Sequence, residues 1–227
     1  MRTTAAPAQC SNAFDDFRLT NGENPIGRLN EFAYKRGTEI YGEGEPAVYV
    51  YRVKEGAVRS YKLLSDGRRQ IGEFHLVGDI FGLTSGEYHR FTTEAVVDTT
   101  LWLIERQSVE TRARTEGPVA RNLLSMTARD LKHAEDHLLL LGRKDALEKV
   151  ATFLIEMDKR LSATGVMSLP MARSDIADYL GLTVETVSRA LSRLGRAGIV
   201  SFAGNQCLRR EITILDRLKL LSLDLQD

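Results

Sequence analysis

Two cysteines, Cys10 and Cys207, occur in 227 residues, and they lie far apart. They form no disulfide framework, which fits a reducing compartment, so the expected location is the cytoplasm. They also cannot supply the four thiolates of an iron–sulfur cluster. No apolar run approaches the roughly 20 residues of a membrane helix, so no membrane partner is expected. MRTTAAPAQC lacks the apolar stretch of a secretory signal, and residues 1–24 are expected to be a flexible leader. An excess of charge is missing too: 31 basic residues balance 31 acidic ones. The chain as a whole is no polycation, so any nucleic-acid surface must be a local patch. No nucleophile elbow, P-loop or metal motif is found. An enzyme is therefore not expected, and neither a cofactor nor a bound metal is called for.

What is present falls into three parts. Residues 25–116 are rich in glycine and β-formers, with runs at Val48–Val53, Ala57–Leu64 and Gln70–His75. Asp66-Gly67 between two of these runs marks a tight hairpin. Glu94–Ile104 reads as one further strand region. Strands at this spacing predict an antiparallel barrel or roll.

Residues 117–142 carry a heptad register: Gly117, Ala120, Leu124, Thr127, Leu131, Ala134, Leu138 and Leu141. The steps alternate three and four, as along a coiled-coil seam. Leu123 and Met126 form a separate apolar stripe suited to packing on the roll. A helix with two stripes has two partners, so a parallel homodimer is expected through Ala120, Leu124, Thr127, Leu131, Ala134, Leu138 and Leu141. Gly142 is read as the interruption and hinge. Asp145 and Glu148 then have capping-box spacing.

Residues 143–227 begin with an amphipathic helix burying Ala146, Val150, Phe153, Leu154, Met157 and Leu161. A short helix over Arg173–Leu180, the turn Gly181-Leu182-Thr183 and a second helix from Val184 have helix-turn-helix spacing. Thr183 has the hydroxyl of an N-cap. Strands at Ile199–Ala203 and Leu208–Leu215 would form a wing. The second helix buries Val187, Ala190, Leu191 and Leu194, leaving Val184, Glu185, Ser188 and Arg189 on the other face. In a helix-turn-helix those positions reach base edges. Arg189 suits guanine O6 and N7. Glu185 suits a cytosine or adenine amino group and is placed to hold Arg189. Val184 suits a thymine methyl, and Ser188 a base edge. Between Val184 and Arg210 five arginines (189, 193, 196, 209 and 210) face one acid, Glu185. Phosphate contacts are expected from Arg173, Thr183, Thr186, Arg193 and Arg196. Double-stranded DNA is the expected partner.

DIADYLGLTVETVSR resembles the helix-turn-helix signature of the Crp/Fnr transcription regulators. Its E-T-V-S-R core is the Fnr-type version, and Val184 stands where Crp-type members carry Arg. GEGEPAVYVYRVKEGAVRSYKLLSDGRRQIGEFHLVGDIFG is similar to the cyclic-nucleotide-binding β-roll, and the helix from Val119 to the family's dimerisation helix. GDIFGLTSGEYHRFTTEAVV is particularly similar to the FixK branch. The resemblance implies an α+β chain with an antiparallel β-roll, a long dimerisation helix and a C-terminal winged helix-turn-helix. It implies an activator in nitrogen fixation and microaerobic metabolism that contacts RNA polymerase. Its implied operator is TTGAT-N4-ATCAA, read by Glu185, Ser188 and Arg189 with Val184 flanking, and it needs no effector. The alternative is gating by a cyclic nucleotide or a redox signal. Cyclic-AMP binders place Arg followed by Ser or Thr in the phosphate loop, whereas here Arg90 precedes Phe91. Ala172 stands where the family often has a Thr cap.

His133 and His137 in HAEDH lack the H-E-x-x-H pattern of a zinc site and are expected to be solvated or interfacial. Nothing around His75 or His89 specifies a haem ligand. Cys207, close to Arg209 and Arg210, is a candidate redox-sensitive thiol.

Overall fold

The computed structural model describes residues 30–161, 166–203 and 211–224. Eight strands come first: β1 (Asn30–Tyr34), β2 (Glu39–Tyr41), β3 (Tyr49–Glu55), β4 (Val58–Leu63), β5 (Arg69–His75), β6 (Ile80–Phe81), β7 (Thr92–Ala95) and β8 (Thr99–Glu105). They form two antiparallel four-stranded sheets, β1-β8-β3-β6 and β2-β7-β4-β5, the expected roll. Alternation along β3 and β8 puts Val53 and Leu101 in a core shared with Val58 and Phe81. The Asp66-Gly67 hairpin joins β4 to β5, with Gly67 at φ 83° in the left-handed region that glycine adopts without strain.

Glu94–Ile104 is not one strand but two, in different sheets. The chain turns at Asp98 and Thr99. The Asp98 carboxylate accepts from the Arg36 amide at 3.0 Å, and the Thr99 hydroxyl donates to the Ala57 and Val97 carbonyls. These side-chain bonds replace the ladder there and let the strand change sheets.

Helix α1 (Arg106–Thr115) follows β8 and leads into α2 (Gly117–Arg143), a helix of 27 residues. Val119 packs with Val50, Ile104 and Val109, and Leu123 lies against them, so the second apolar stripe rests on the roll as expected. The helix passes through Gly142 and ends at Arg143, with Lys144 extended at φ −80°, ψ 147°. A glycine within a helix costs only about 1 kcal/mol; Asp145 sets the break instead. Its carboxylate accepts from the Leu147 and Glu148 amides at 2.7 and 2.9 Å, and Glu148 accepts from the Asp145 amide at 2.7 Å. That is the predicted capping box.

Helix α3 (Ala146–Leu161) buries Val150, Phe153, Leu154 and Met157. After β9 (Met167–Ser168) come α4 (Arg173–Leu180), α5 (Val184–Arg196), β10 (Val200–Ala203), β11 (Glu211–Ile214) and α6 (Arg217–Asp224). Strands β10 and β11 pair antiparallel, and β9 joins β11 to make a three-stranded sheet. Residues 204–210, which include Cys207, Arg209 and Arg210, and the leader lie outside the described residues. No described helix is long and apolar enough to cross a membrane.

Candidate nucleic-acid interface

Helices α4 and α5 are joined by Gly181, whose φ of 62° and ψ of 39° make it the left-handed C-cap of α4. Thr183 accepts the Thr186 amide at 3.2 Å and starts α5, as its hydroxyl predicted. At the other end of the motif, Ala172 offers no side-chain acceptor. Asp175 supplies the reverse half of a capping box, accepting from the Ala172 amide at 3.1 Å.

Ile176, Ala177 and Leu180 of α4 and Val187, Ala190, Leu191 and Leu194 of α5 are buried in one core with α3. That packing fixes which side of α5 faces outward. Val184, Glu185 and Arg189 are exposed there, and so are Thr183, Arg193 and Arg196; Arg173, Thr186 and Ser188 are half-buried at its edge. The sequence-predicted DNA residues therefore share one surface. Two details differ from expectation. Glu185 and Arg189 form no ion pair with each other among the described residues. Arg173 reaches across from α4 and donates to Ser188 Oγ at 3.1 Å.

The long helix shows its seam bare. Leu124, Leu131 and Leu138 are 71%, 59% and 71% exposed. Ala120, Thr127 and Ala134 are also exposed, on a helix whose other stripe packs on its own chain. Leu141 is the exception, half-buried against the main core, where its side chain lies 3.4 Å from where a Cβ on Gly181 would stand.

His133 and His137 are neither solvated nor on the seam's crest. Both are half-buried and turned toward α4. Tyr179 donates its hydroxyl hydrogen to Glu156 at 3.2 Å, and His133 Nε2 lies 3.2 Å from the Tyr179 hydroxyl oxygen. The His133 imidazole is held above its usual range, first by its hydrogen bond with Glu156. His137 stacks on Tyr179 at 4.3 Å between ring centres, and its Nε2 donates to the Tyr179 carbonyl at 2.9 Å. Burial lowers its pKa.

A second set of contacts ties α4 to the roll. Asp175 accepts from Arg59 at 2.8 Å and from Arg69 at 2.6 Å, Arg69 also reaches Asp178 at 2.8 Å, and Arg59 reaches Glu94 at 2.7 Å. From α3, Arg160 joins Asp79 and the Phe74 carbonyl. Sequence reasoning missed this cluster, because residues 35 to 116 apart leave no local spacing to read.

Between the roll and α2 lies a cavity of about 520 Å³, and all four histidines of the chain line it. His75 and His89 are both buried in the roll. His75 Nε2 bonds Ser60 Oγ at 2.8 Å, its Nδ1 has no hydrogen-bond partner among the described residues, and burial pushes its pKa down to about 4. Burial raises the Glu73 carboxyl nearby. Arg90 and Phe91 stand at the rim. Among the described residues no group of three or more His, Cys, Asp or Glu could hold a metal ion.

Residues 148–223 match the family model of the Crp-like helix-turn-helix domain, and residues 31–116 that of the cyclic nucleotide-binding domain. The chain is 43% identical over 168 residues to the nitrogen fixation regulation protein FixK of Rhizobium meliloti, covering 74% of this chain and 76% of that one. It is 41% identical over 196 residues to the FixK of Azorhizobium caulinodans, covering 84% and 77%. Among solved structures it is similar to FixK2 from Bradyrhizobium japonicum, with a TM-score of 0.83 and 59% identity over 87% of this chain and 98% of that one.

Proposed function

This chain belongs to the Crp/Fnr family as a FixK-type transcription regulator with a helix-turn-helix DNA-binding domain, and from that premise we propose that it is an effector-independent activator. It binds TTGAT-N4-ATCAA as a homodimer and acts by contacting RNA polymerase. Glu185, Ser188 and Arg189 read base edges with Val184 flanking. Arg173, Thr183, Thr186, Arg193 and Arg196 position the helix on phosphates. The observation that carries this is the outward face of α5. An acid, a hydroxyl and arginines stand together over a buried apolar stripe, beside a long helix whose leucine seam is uncovered. Paired across such a seam, two copies of α5 can address half-sites about one helical turn apart, roughly 34 Å.

The test is an equilibrium titration of ligand-free protein on that inverted repeat against a duplex with the half-site Gs replaced. Tight, salt-dependent binding to the first alone supports the reading; equal binding to both overturns it.

One observation favours a second reading, gating by an effector. The cavity wall formed by His133 and His137 is bonded to Tyr179 of α4, so a molecule seated there would touch the DNA-binding domain's own supports. Calorimetry with cyclic nucleotides, followed by DNA titration with and without them, separates the two.

A further inference from the structure

Arg173 opens α4, and a cation at a helix N-terminus works against the helix dipole. Local helix stability does not explain it. Its guanidinium instead crosses to α5 and donates to Ser188 Oγ at 3.1 Å, the one side-chain hydrogen bond of Ser188 among the described residues. A serine hydroxyl has a single hydrogen and two lone pairs, while an arginine only donates. With one lone pair facing Arg173, the hydroxyl hydrogen has to turn elsewhere. In a helix it could return to the carbonyl four residues back, but no bond to Val184 is formed. The hydrogen is left for whatever lies against the outward face of α5, between Glu185 and Arg189.

We infer that Arg173 is a specificity-determining positioning residue: by taking one of the two lone pairs of Ser188, it biases the hydroxyl toward donating to DNA. The inference rests on the DNA-reading role proposed above. A serine held in this polarity accepts a base edge that presents an acceptor, such as thymine O4, guanine O6 or a purine N7. It disfavours the amino groups, cytosine N4 and adenine N6, whereas adenine N7 is still a partner. Without Arg173 both lone pairs are free, so the bias toward donation falls and the discrimination with it. Arg173 thereby does more than the phosphate contact expected of it, because a phosphate contact carries no sequence information.

The experiment selects bound duplexes from a random-sequence pool and compares base preferences for the wild type, Ser188→Ala, Arg173→Ala and the double variant. The two single variants should relax the same base-pair position, each losing about fivefold in preference there, the scale of one hydrogen bond. The double variant should relax it no further, since Arg173 acts through Ser188. If Arg173→Ala lowers binding to every duplex by one factor and keeps the wild-type profile, the inference is overturned and the general function stands. If the wild type itself selects no sequence, the DNA-reading role fails and takes the inference with it.

Discussion

Asp175, at the start of the helix-turn-helix, accepts a hydrogen bond from Arg59 of the roll at 2.8 Å across 116 residues of sequence. The same oxygen takes Arg69 at 2.6 Å, and the other oxygen caps the Ala172 amide. One carboxylate therefore starts the first DNA-binding helix and docks it on the β-roll. Removing it leaves two largely buried guanidinium groups short of a partner. Asp175→Ala is expected to cost about 3 kcal/mol of stability in urea unfolding. Asp175→Asn, which keeps an oxygen for the cap, should cost less. Losses within about 0.5 kcal/mol for both would show that the cluster contributes nothing net.

His75 makes stability depend on acid. Burial holds its folded pKa at about 4 against an ordinary 6.5, so between those values the unfolded chain binds the extra proton. The stabilisation is fully present above pH 6.5 and is lost as pH falls toward 4, by about 3 kcal/mol. In His75→Gln that loss should be absent. Unfolding free energies of both proteins at pH 7 and pH 4.5 check this: the wild type should fall further than the variant. Parallel curves would contradict it.

Arg189 is exposed on the outward face of α5 with its guanidinium unclaimed by Glu185. Arg189→Ala should lose discrimination at the half-site G by about 1–3 kcal/mol. Arg193→Ala, further along the helix, should weaken all sequences alike and reduce the salt slope by about one. Titrations at several salt concentrations distinguish these roles. An Arg189→Ala protein that keeps its preference for G would show the roles to be misassigned.

Leu131 and Leu138 are exposed at 59% and 71% on the seam of α2. A glutamate at either position would place like charges opposite each other in a parallel pair. Leu131→Glu and Leu138→Glu should shift the protein from dimer to monomer in sedimentation equilibrium and abolish operator binding at the same concentrations. Leu139→Glu is the control, since it is 61% exposed but off the counted seam. Monomer formation by the control alone would contradict the heptad register.

The sequence was most legible where a period or a cap is local. The Asp145–Glu148 box, the Thr183 cap and the buried stripe of α5 each sit within one or two turns, and all three are found in place. Gly142 misled because a helix tolerates one glycine when the next N-cap sets the end. Glu94–Ile104 misled because Asp98 and Thr99 exchange ladder bonds for side-chain bonds, a change that β-propensity does not register. His133 and His137 were placed correctly on the helix but not in their surroundings. Their partner Tyr179 lies 46 residues from His133 and 42 from His137, and Glu156 lies 23 residues from Tyr179. The Arg59–Asp175–Arg69 cluster was invisible for the same reason: its charges meet only once the roll and the helix-turn-helix have each folded.

The central claim is that two copies of the chain, paired along α2, insert two α5 helices into one duplex. Varying the spacer between TTGAT half-sites tests it directly, with stoichiometry read in the same titration. Binding should involve two chains per duplex, peak at a four-base spacer, and collapse when about five bases are added, since half a helical turn carries one half-site to the far side of the DNA. A single half-site bound as tightly as the full repeat, by one chain and with no dependence on spacer length, would contradict it.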